Sequence, residues 1–273
     1  EGKKMSKSLG NVISPQEIWK NMGADVLRAW TASTDYTKEI VLSDDILKRA
    51  SDSYRRIRNT IRFLLGNLND YSGQIVLPEQ ITELDKWMIL RTKALQEEIK
   101  KDYLNYNFHQ AFQKIHNFCA NDLGGFYLDI LKDRLYTAKT DSAARRSCQL
   151  ALHNIIQALL RWVSPILSFT AEEAWQLLKT DVKSVHLLEW YEDWAEVGDL
   201  KFSDAQWEKI LEIRSEVNKQ IEDARNKEII GSSLDAELRL FCDDEIKDLL
   251  DNFTEELRFI FITSEVKVST STG

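Results

Sequence analysis

The apolar spacing between Ser43 and Leu68 constrains the fold more than any other feature of this chain. Ile46, Leu47, Ala50, Tyr54, Ile57, Ile61, Leu64, Leu65 and Leu68 recur every three or four residues. At ~100° per residue they occupy an arc about 100° wide, which is one face of a long amphipathic helix and suits no strand. Such a stripe needs other helices to cover it, and the sequence supplies them. Leu84, Trp87, Met88, Leu95 and Ile99 open a second helix, with Thr82 near its cap. Further helices are predicted over 108–122, 126–136 and 142–163, the last ending before Pro165. Thr170 is expected to cap one more, around Trp175, with Glu172 and Glu173 set against its dipole. Only 10 Gly and 3 Pro punctuate 273 residues, so helices folded back on short loops into a bundle are expected.

Both flanks read differently. Glu1 to Asn11 is a polar loop rich in Lys and Ser, with Gly2 and Gly10. Ser14-Pro15-Gln16-Glu17 then predicts a helix start, in which Ser14 caps and Glu17 reaches back. That helix stops near Gly23, and a second runs from Ala24 to about Thr31. At the other end, a helix over 203–225 precedes the Gly231-Ser232-Ser233 break. Leu234, Ala236, Leu238 and Leu240 then alternate with polar residues, as Val266 and Val268 do later, which is strand periodicity. A helix near 245–250 and the run 257–263 lie between them. The expected organisation is mainly α: a short segment over 1–45, a helical bundle over 46–200 and a small α/β subdomain over 201–273.

Several classes are excluded. No run of 18 uncharged apolar residues exists; the nearest, Ala158 to Ala171, contains Arg161 and Pro165, so no membrane span is expected. Cys119, Cys148 and Cys242 form no CxxC pair, and free thiols suit a cytoplasmic protein. His109, His116, His153 and His186 lack metal-ligand spacing, so no metal site is predicted. A formal net charge of -8 argues at first against a nucleic-acid partner.

Lys3-Lys4-Met5-Ser6-Lys7-Ser8-Leu9-Gly10-Asn11 carries chemistry. Lysines three apart in a loop of small hydroxyl residues can bring mobile point charges and backbone N–H donors onto a polyphosphate. Lys4-Met5-Ser6-Lys7-Ser8 matches, letter for letter, the KMSKS motif of class I aminoacyl-tRNA synthetases. Leu9 to Pro15 and Gly23-Ala24-Asp25-Val26-Leu27-Arg28 resemble that family's large members for isoleucine, valine, leucine and methionine. Ala32 to Thr37, Ser53 to Thr60, Phe126 to Ile130, Lys132-Asp133-Arg134, Arg145 to Gln149 and Pro165 to Trp175 look like isoleucyl-tRNA synthetases in particular.

The resemblance implies an enzyme that joins isoleucine to tRNA(Ile) through an adenylate, using ATP and Mg²⁺. It implies that Lys7 binds ATP and stabilises the transition state with help from Lys4, while Ser6 and Ser8 shape the ATP-binding loop. It also implies what the sequence does not contain: the HIGH motif, the catalytic core, the editing domain and a C-terminal zinc module. The chain is therefore expected to be a C-terminal piece, inactive alone, working with the remainder of the same polypeptide as a monomer. Zinc is expected only in the absent module. A valyl-tRNA synthetase piece is the alternative within the family.

The long helix adds its own clue. From Ile46 to Leu65 it carries Lys48, Arg49, Arg55, Arg56, Arg58 and Arg62 against Asp52, net +5. Lys48, Arg55 and Arg62 project within about 40° of one another, opposite the apolar arc, with Arg58 beside them. Lys132, Arg134, Lys139, Arg145 and Arg146 against Asp133 and Asp141 give a second excess of +3. The bundle resembles the family's anticodon-binding domain, which makes Lys48, Arg55, Arg58, Arg62, Arg134, Arg145 and Arg146 the candidate tRNA contacts. Asp129 and Asp133 beside Lys132 and Arg134 read as a salt-bridge network. Trp87, Trp162 and Trp175 sit at core positions, whereas Trp190, Tyr191 and Trp194 read as packing between domains. The competing reading is a helical protein-interaction module with an incidental basic loop.

Overall fold

The structure, a computed structural model, describes residues 4–74, 76–178 and 180–270, with the side chains of Asp133, Thr254 and Glu255 left aside. Gly2 and Lys3 of the predicted loop, and the Asp133 side chain, lie outside the described residues. The chain divides into two compact units, Glu1–Gly198 and Asp199–Gly273. The first contains α1 (Pro15–Met22), α2 (Ala24–Ser33), α3 (Asp44–Asn67), α4 (Glu83–Leu104), α5 (Phe108–Asn117), α6 (Leu128–Thr137), α7 (Ala143–Val163) and α8 (Ser168–Trp175). The second contains α9 (Asp204–Asn226), β1 (Glu237–Cys242), α10 (Asp244–Asn252), α11 (Thr254–Phe261) and β2 (Glu265–Thr270). The fold is mainly α, as the apolar periods predict.

Serines start the helices for a local reason. The hydroxyls of Ser14, Ser43, Ser142 and Ser203 accept from the N–H groups of Gln16, Ile46, Arg145 and Gln206, donors that the first helical turn cannot satisfy itself. At α1 the Ser14 hydroxyl donates to the Gln16 side chain at 2.6 Å, so Gln16 takes the place expected of Glu17. Thr82 stands at the N-cap of α4, as expected, whereas the Thr170 cap is corrected. The Thr82 hydroxyl donates to Asp85 at 2.7 Å and makes no hydrogen bond to the first-turn N–H groups, because a buried carboxylate competes for it. Thr170 lies inside α8, and no acid occupies that helix's first turn. Its first N–H groups are capped from another helix, as described below.

The stripe on α3 buries Leu47, Ala50, Ile57, Ile61 and Leu64, with Thr60 inside it because its hydroxyl donates to the Arg56 carbonyl at 3.1 Å. α7 is buried on every side from Ser147 to Leu160, apart from Leu150 and His153, which marks it as the central helix. Trp162 is fully buried beside Phe118, ring centroids 5.7 Å apart. Its indole N–H reaches Gln96 Oε1 at 3.1 Å, so a large apolar group enters the core without leaving its donor unsatisfied. Trp87 and Trp175 are buried too. Large side chains such as these contribute about 1.5–3 kcal/mol each on burial.

The expected break near Gly124-Gly125 is a continuous helix instead. Phe118–Tyr127 is π-helical and joins α5 directly to α6. A Cβ on Gly124 would lie 3.0 Å from the Cys119 carbonyl oxygen, so the glycine permits a close backbone approach rather than a turn. The 185–197 strap is also corrected: its aromatics pack on their own bundle. Tyr191 is buried, its carbonyl accepts from Gln96 at 2.8 Å, and Trp194 meets its ring edge-on at 4.8 Å. Trp190 packs against Tyr103.

In the second unit β1 and β2 pair in parallel, with Glu237 opposite Glu265, and α10 and α11 make the crossover that parallel strands require. The strand begins at Glu237, later than the alternation from Leu234 predicts, because Ser233–Asp235 closes into a short 3₁₀ turn. Phe202, Trp207 and Phe253 form this unit's aromatic centre, with Phe202 stacked on Phe253 at 3.7 Å.

Candidate nucleic-acid interface and phosphate loop

The loop ahead of α1 is folded by its own polar groups. Asn11 Oδ1 accepts from the Ser6 N–H at 2.8 Å, and Asn11 Nδ2 donates to the Lys4 carbonyl at 3.3 Å. The Ser6 and Ser8 hydroxyls are 2.6 Å apart, Lys7–Leu9 makes one 3₁₀ turn, and Gly10 closes it at φ +64°. Lys4 and Lys7 are exposed, and neither ammonium group has an ion-pair partner among the described residues. A polar ring with two free cations can receive a polyphosphate. Asn11 is the residue that sequence reasoning missed here; a side chain that ties a loop to itself leaves no periodic signal.

α2 holds the segment to the bundle by two opposite charges. Asp25 accepts from the N–H groups of Phe169 at 3.4 Å and Thr170 at 2.7 Å, and so caps α8 from across the fold. One turn on, Arg28 donates to the carbonyls of Ile166 and Pro165, both at 2.8 Å, just past the end of α7. Each charge sits where helix-end backbone groups of the opposite polarity are unsatisfied.

The basic face of α3 is real but only partly free. Lys48, Arg49 and Arg62 are exposed without an ion-pair partner among the described residues. Arg55 pairs with Asp52 at 2.8 Å, an exposed contact of small net worth. Arg58 makes a two-pronged pair with Glu173 at 2.9 and 3.1 Å and donates to the Tyr54 hydroxyl at 3.2 Å. That guanidinium holds the Glu173 carboxyl below the usual glutamate range.

Three candidate contacts have internal work instead. Arg134 sits 3.9 Å from the fully buried Asp85 and donates to Thr82 at 3.0 Å. Arg145 grips both oxygens of Asp70, at 3.1 and 3.2 Å, and also donates to the Leu135 carbonyl. Arg146 donates to Gln149 at 2.6 Å and to the Asp70 carbonyl at 3.3 Å. Their side chains are only 13–19% exposed. Arg134, Arg145 and Arg146 of the second basic excess therefore act as braces, and the acids that hold them come from distant parts of the chain.

Beside the free part of α3 lies a cleft of about 1070 Å³, walled by Arg58, Asn59, Arg62 and Leu65 of α3, Tyr71, His153 and Gln157 of α7, and Glu173 of α8. Its size is at the upper end for sites that take small organic groups. Tyr71 and His153 form a tilted ring pair at 5.4 Å. Burial, aided by the charge of Arg161, lowers the His153 pKa and keeps the imidazole neutral, able to donate and accept. Neutral His153 therefore contributes stability that is complete above the unfolded value of about 6.5 and is lost as pH falls through the lower folded value. His153→Gln should flatten the fall in melting temperature between about pH 6.5 and 5; an unchanged profile would remove His153 from the acid response.

Among the described residues no group of three or more His, Cys, Asp or Glu could hold a metal, and no helix is long and apolar enough to cross a membrane. Residues 85–240 match the family model described as the anticodon-binding domain of tRNA ligase. The chain belongs to this anticodon-binding domain family. Residues 1–43 match a second model, tRNA synthetases class I (I, L, M and V), which covers the lysine loop and α2. The chain is 53% identical to the isoleucine–tRNA ligase of Shewanella sp. (strain ANA-3) over 98% of its length, and 50% identical to that of Alkalilimnicola ehrlichii over the same share. It spans 29% of the length of either relative. In fold it is similar to a chain in the crystal structure of the ternary complex of Agrobacterium radiobacter K84 agnB2 LeuRS-tRNA-LeuAMS. The TM-score is 0.51 at 21% identity, over 72% of this chain and 22% of that one.

Proposed function

We propose that this chain is the tRNA-binding part of an isoleucine–tRNA ligase, with tRNA(Ile) as its RNA and the adenylate-forming loop at Lys4–Ser8. The observation that carries the reading is the charge of Lys48, Arg49 and Arg62, without an ion-pair partner among the described residues, on a helix that packs against α7 of the matched anticodon-binding domain, beside an open cleft. Acidity of the whole chain does not oppose it, because the charge along the outer face of α3 is locally positive. Phosphates follow such a face, and unstacked bases seek clefts with aromatic and amide walls.

In the complete ligase, Lys7 and Lys4 would meet the phosphates of ATP, and bound Mg²⁺ would neutralise the same oxygens. The self-tied loop keeps both ammonium groups outward, so little ordering remains to be done when nucleotide arrives. The ligase would work as a cytoplasmic monomer, this chain beside its catalytic and editing parts.

Binding of an isoleucine-anticodon tRNA transcript at several salt concentrations tests the RNA reading. Arg62→Ala should shallow the log–log salt slope by about 0.7–0.9, as one lost phosphate contact requires. Thermal stability should stay within about 0.5 kcal/mol, since exposed Arg62 makes no hydrogen bond or ion pair among the described residues. An unchanged slope, or no binding at low salt, would defeat the assignment and favour a protein-interaction module.

A further inference from the structure

One chain of hydrogen bonds runs from the cleft to α2. Arg58 Nη1 is shared between Glu173 at 2.9 Å and the Tyr54 hydroxyl at 3.2 Å. The Tyr54 and Thr170 hydroxyls are 3.1 Å apart, and Thr170 Oγ1 is 2.6 Å from Asp25 Oδ2. That same Asp25 oxygen accepts the Thr170 N–H. The proton order is forced. Arginine can only donate and a carboxylate can only accept, so Thr170 gives its proton to Asp25, Tyr54 gives its own to Thr170, and Arg58 donates to Tyr54. Each bond polarises the next in one direction, which strengthens the chain as a unit.

The two ends differ in what they face. Arg58 and Glu173 line the open cleft, with side chains 43% and 61% exposed. Asp25 is buried at the seat of α2, which packs against α1, and α1 follows the lysine loop directly. Glu173 gives Arg58 the kind of oxygen pair that a phosphate would also present. The guanidinium therefore has two available settings, on the carboxylate or on a ligand's phosphate.

We propose that the cleft takes an RNA phosphate on Arg58 in exchange for Glu173, and that Tyr54, as a positioning residue, passes this exchange through Thr170 to Asp25. RNA occupancy then loosens the cap that α2 places on α8, and the seat of the loop-bearing segment feels it. The RNA end of this device rests on the reading that the α3 face binds RNA; the linkage from Arg58 to Asp25 is a property of the RNA-free chain.

Amide hydrogen exchange at Thr170 reads the device, because that N–H is held by Asp25. In the RNA-free chain, Glu173→Gln stands in for the exchange by removing the anchor of Arg58. It should speed Thr170 exchange about three- to tenfold. In a Tyr54→Phe background the same substitution should change it less than about twofold, since the chain is already cut at the missing hydroxyl. Saturating the unaltered chain with the tRNA transcript should produce the same acceleration, absent in Tyr54→Phe although that variant still binds. A Glu173→Gln effect of equal size in both backgrounds, or none in either, would overturn the linkage. An intact RNA-free linkage with no tRNA effect at Thr170 overturns the phosphate exchange, and failure to bind tRNA at all overturns the RNA reading instead.

Discussion

Asp85→Ala should cost this fold about 3–5 kcal/mol, seen as an urea midpoint shift at unchanged slope. Asp85 has no exposed surface, yet it serves four partners. Tyr127 donates to it at 2.6 Å, Ser147 at 2.5 Å and Thr82 at 2.7 Å, while Arg134 lies at 3.9 Å. Removing the carboxylate leaves three hydroxyls without their acceptor and takes away the negative charge beside Arg134, in a place that water does not reach. The penalty is that of orphaned polar groups rather than of one lost contact. Burial and the adjacent Asp85 charge push the Tyr127 hydroxyl's pKa well up, so it remains a donor throughout the working range. Asp85→Asn keeps one acceptor oxygen and should lose roughly half as much. A loss below about 1 kcal/mol for the alanine variant would show that the network is not what locks α4, α6 and α7 together.

Lys7→Ala in a complete ligase carrying this segment should reduce isoleucine-dependent pyrophosphate exchange by about 10²–10³-fold, the usual cost of one charged donor to a developing anion. Isoleucine affinity should be unchanged. The loop's own bonds run through the Ser6 and Lys7 backbone, the two serine hydroxyls and Asn11, so the substitution leaves them standing. Lost activity would then report missing charge, not a collapsed loop. Exchange at the unaltered rate would remove Lys7 from the chemistry.

What the sequence made legible was whatever repeats or is local. The α3 stripe, the Ser14 cap and the alternation at Leu238 and Val266 are written in neighbours, and those elements stand where their spacing put them. The lysine loop was legible for another reason, as a short string with a chemical purpose. What stayed hidden depends on partners far along the chain. Asp25 lies in the first turn of its own helix but caps α8, 145 residues away. Arg145 reads as surface charge until Asp70, 75 residues earlier, is placed beside it. Glycine was ambiguous for a related reason: Gly124-Gly125 has the composition of a turn and the geometry of a tight helical crossing. Charge patterns alone therefore do not separate braced arginines such as Arg134, Arg145 and Arg146 from open ones such as Arg62 on α3.

The π-helical stretch makes residue count, more than residue identity, decisive between Phe118 and Tyr127. Each residue there turns the helix by less than the ~100° of an α-helix. Deleting one residue and letting the coil tighten would swing α6 about its own axis. Arg134 would point away from Asp85 although no side chain in the network had been altered. Homologues that differ by a single insertion or deletion within these ten residues should therefore carry a different counter-charge for that carboxylate, or have lost it.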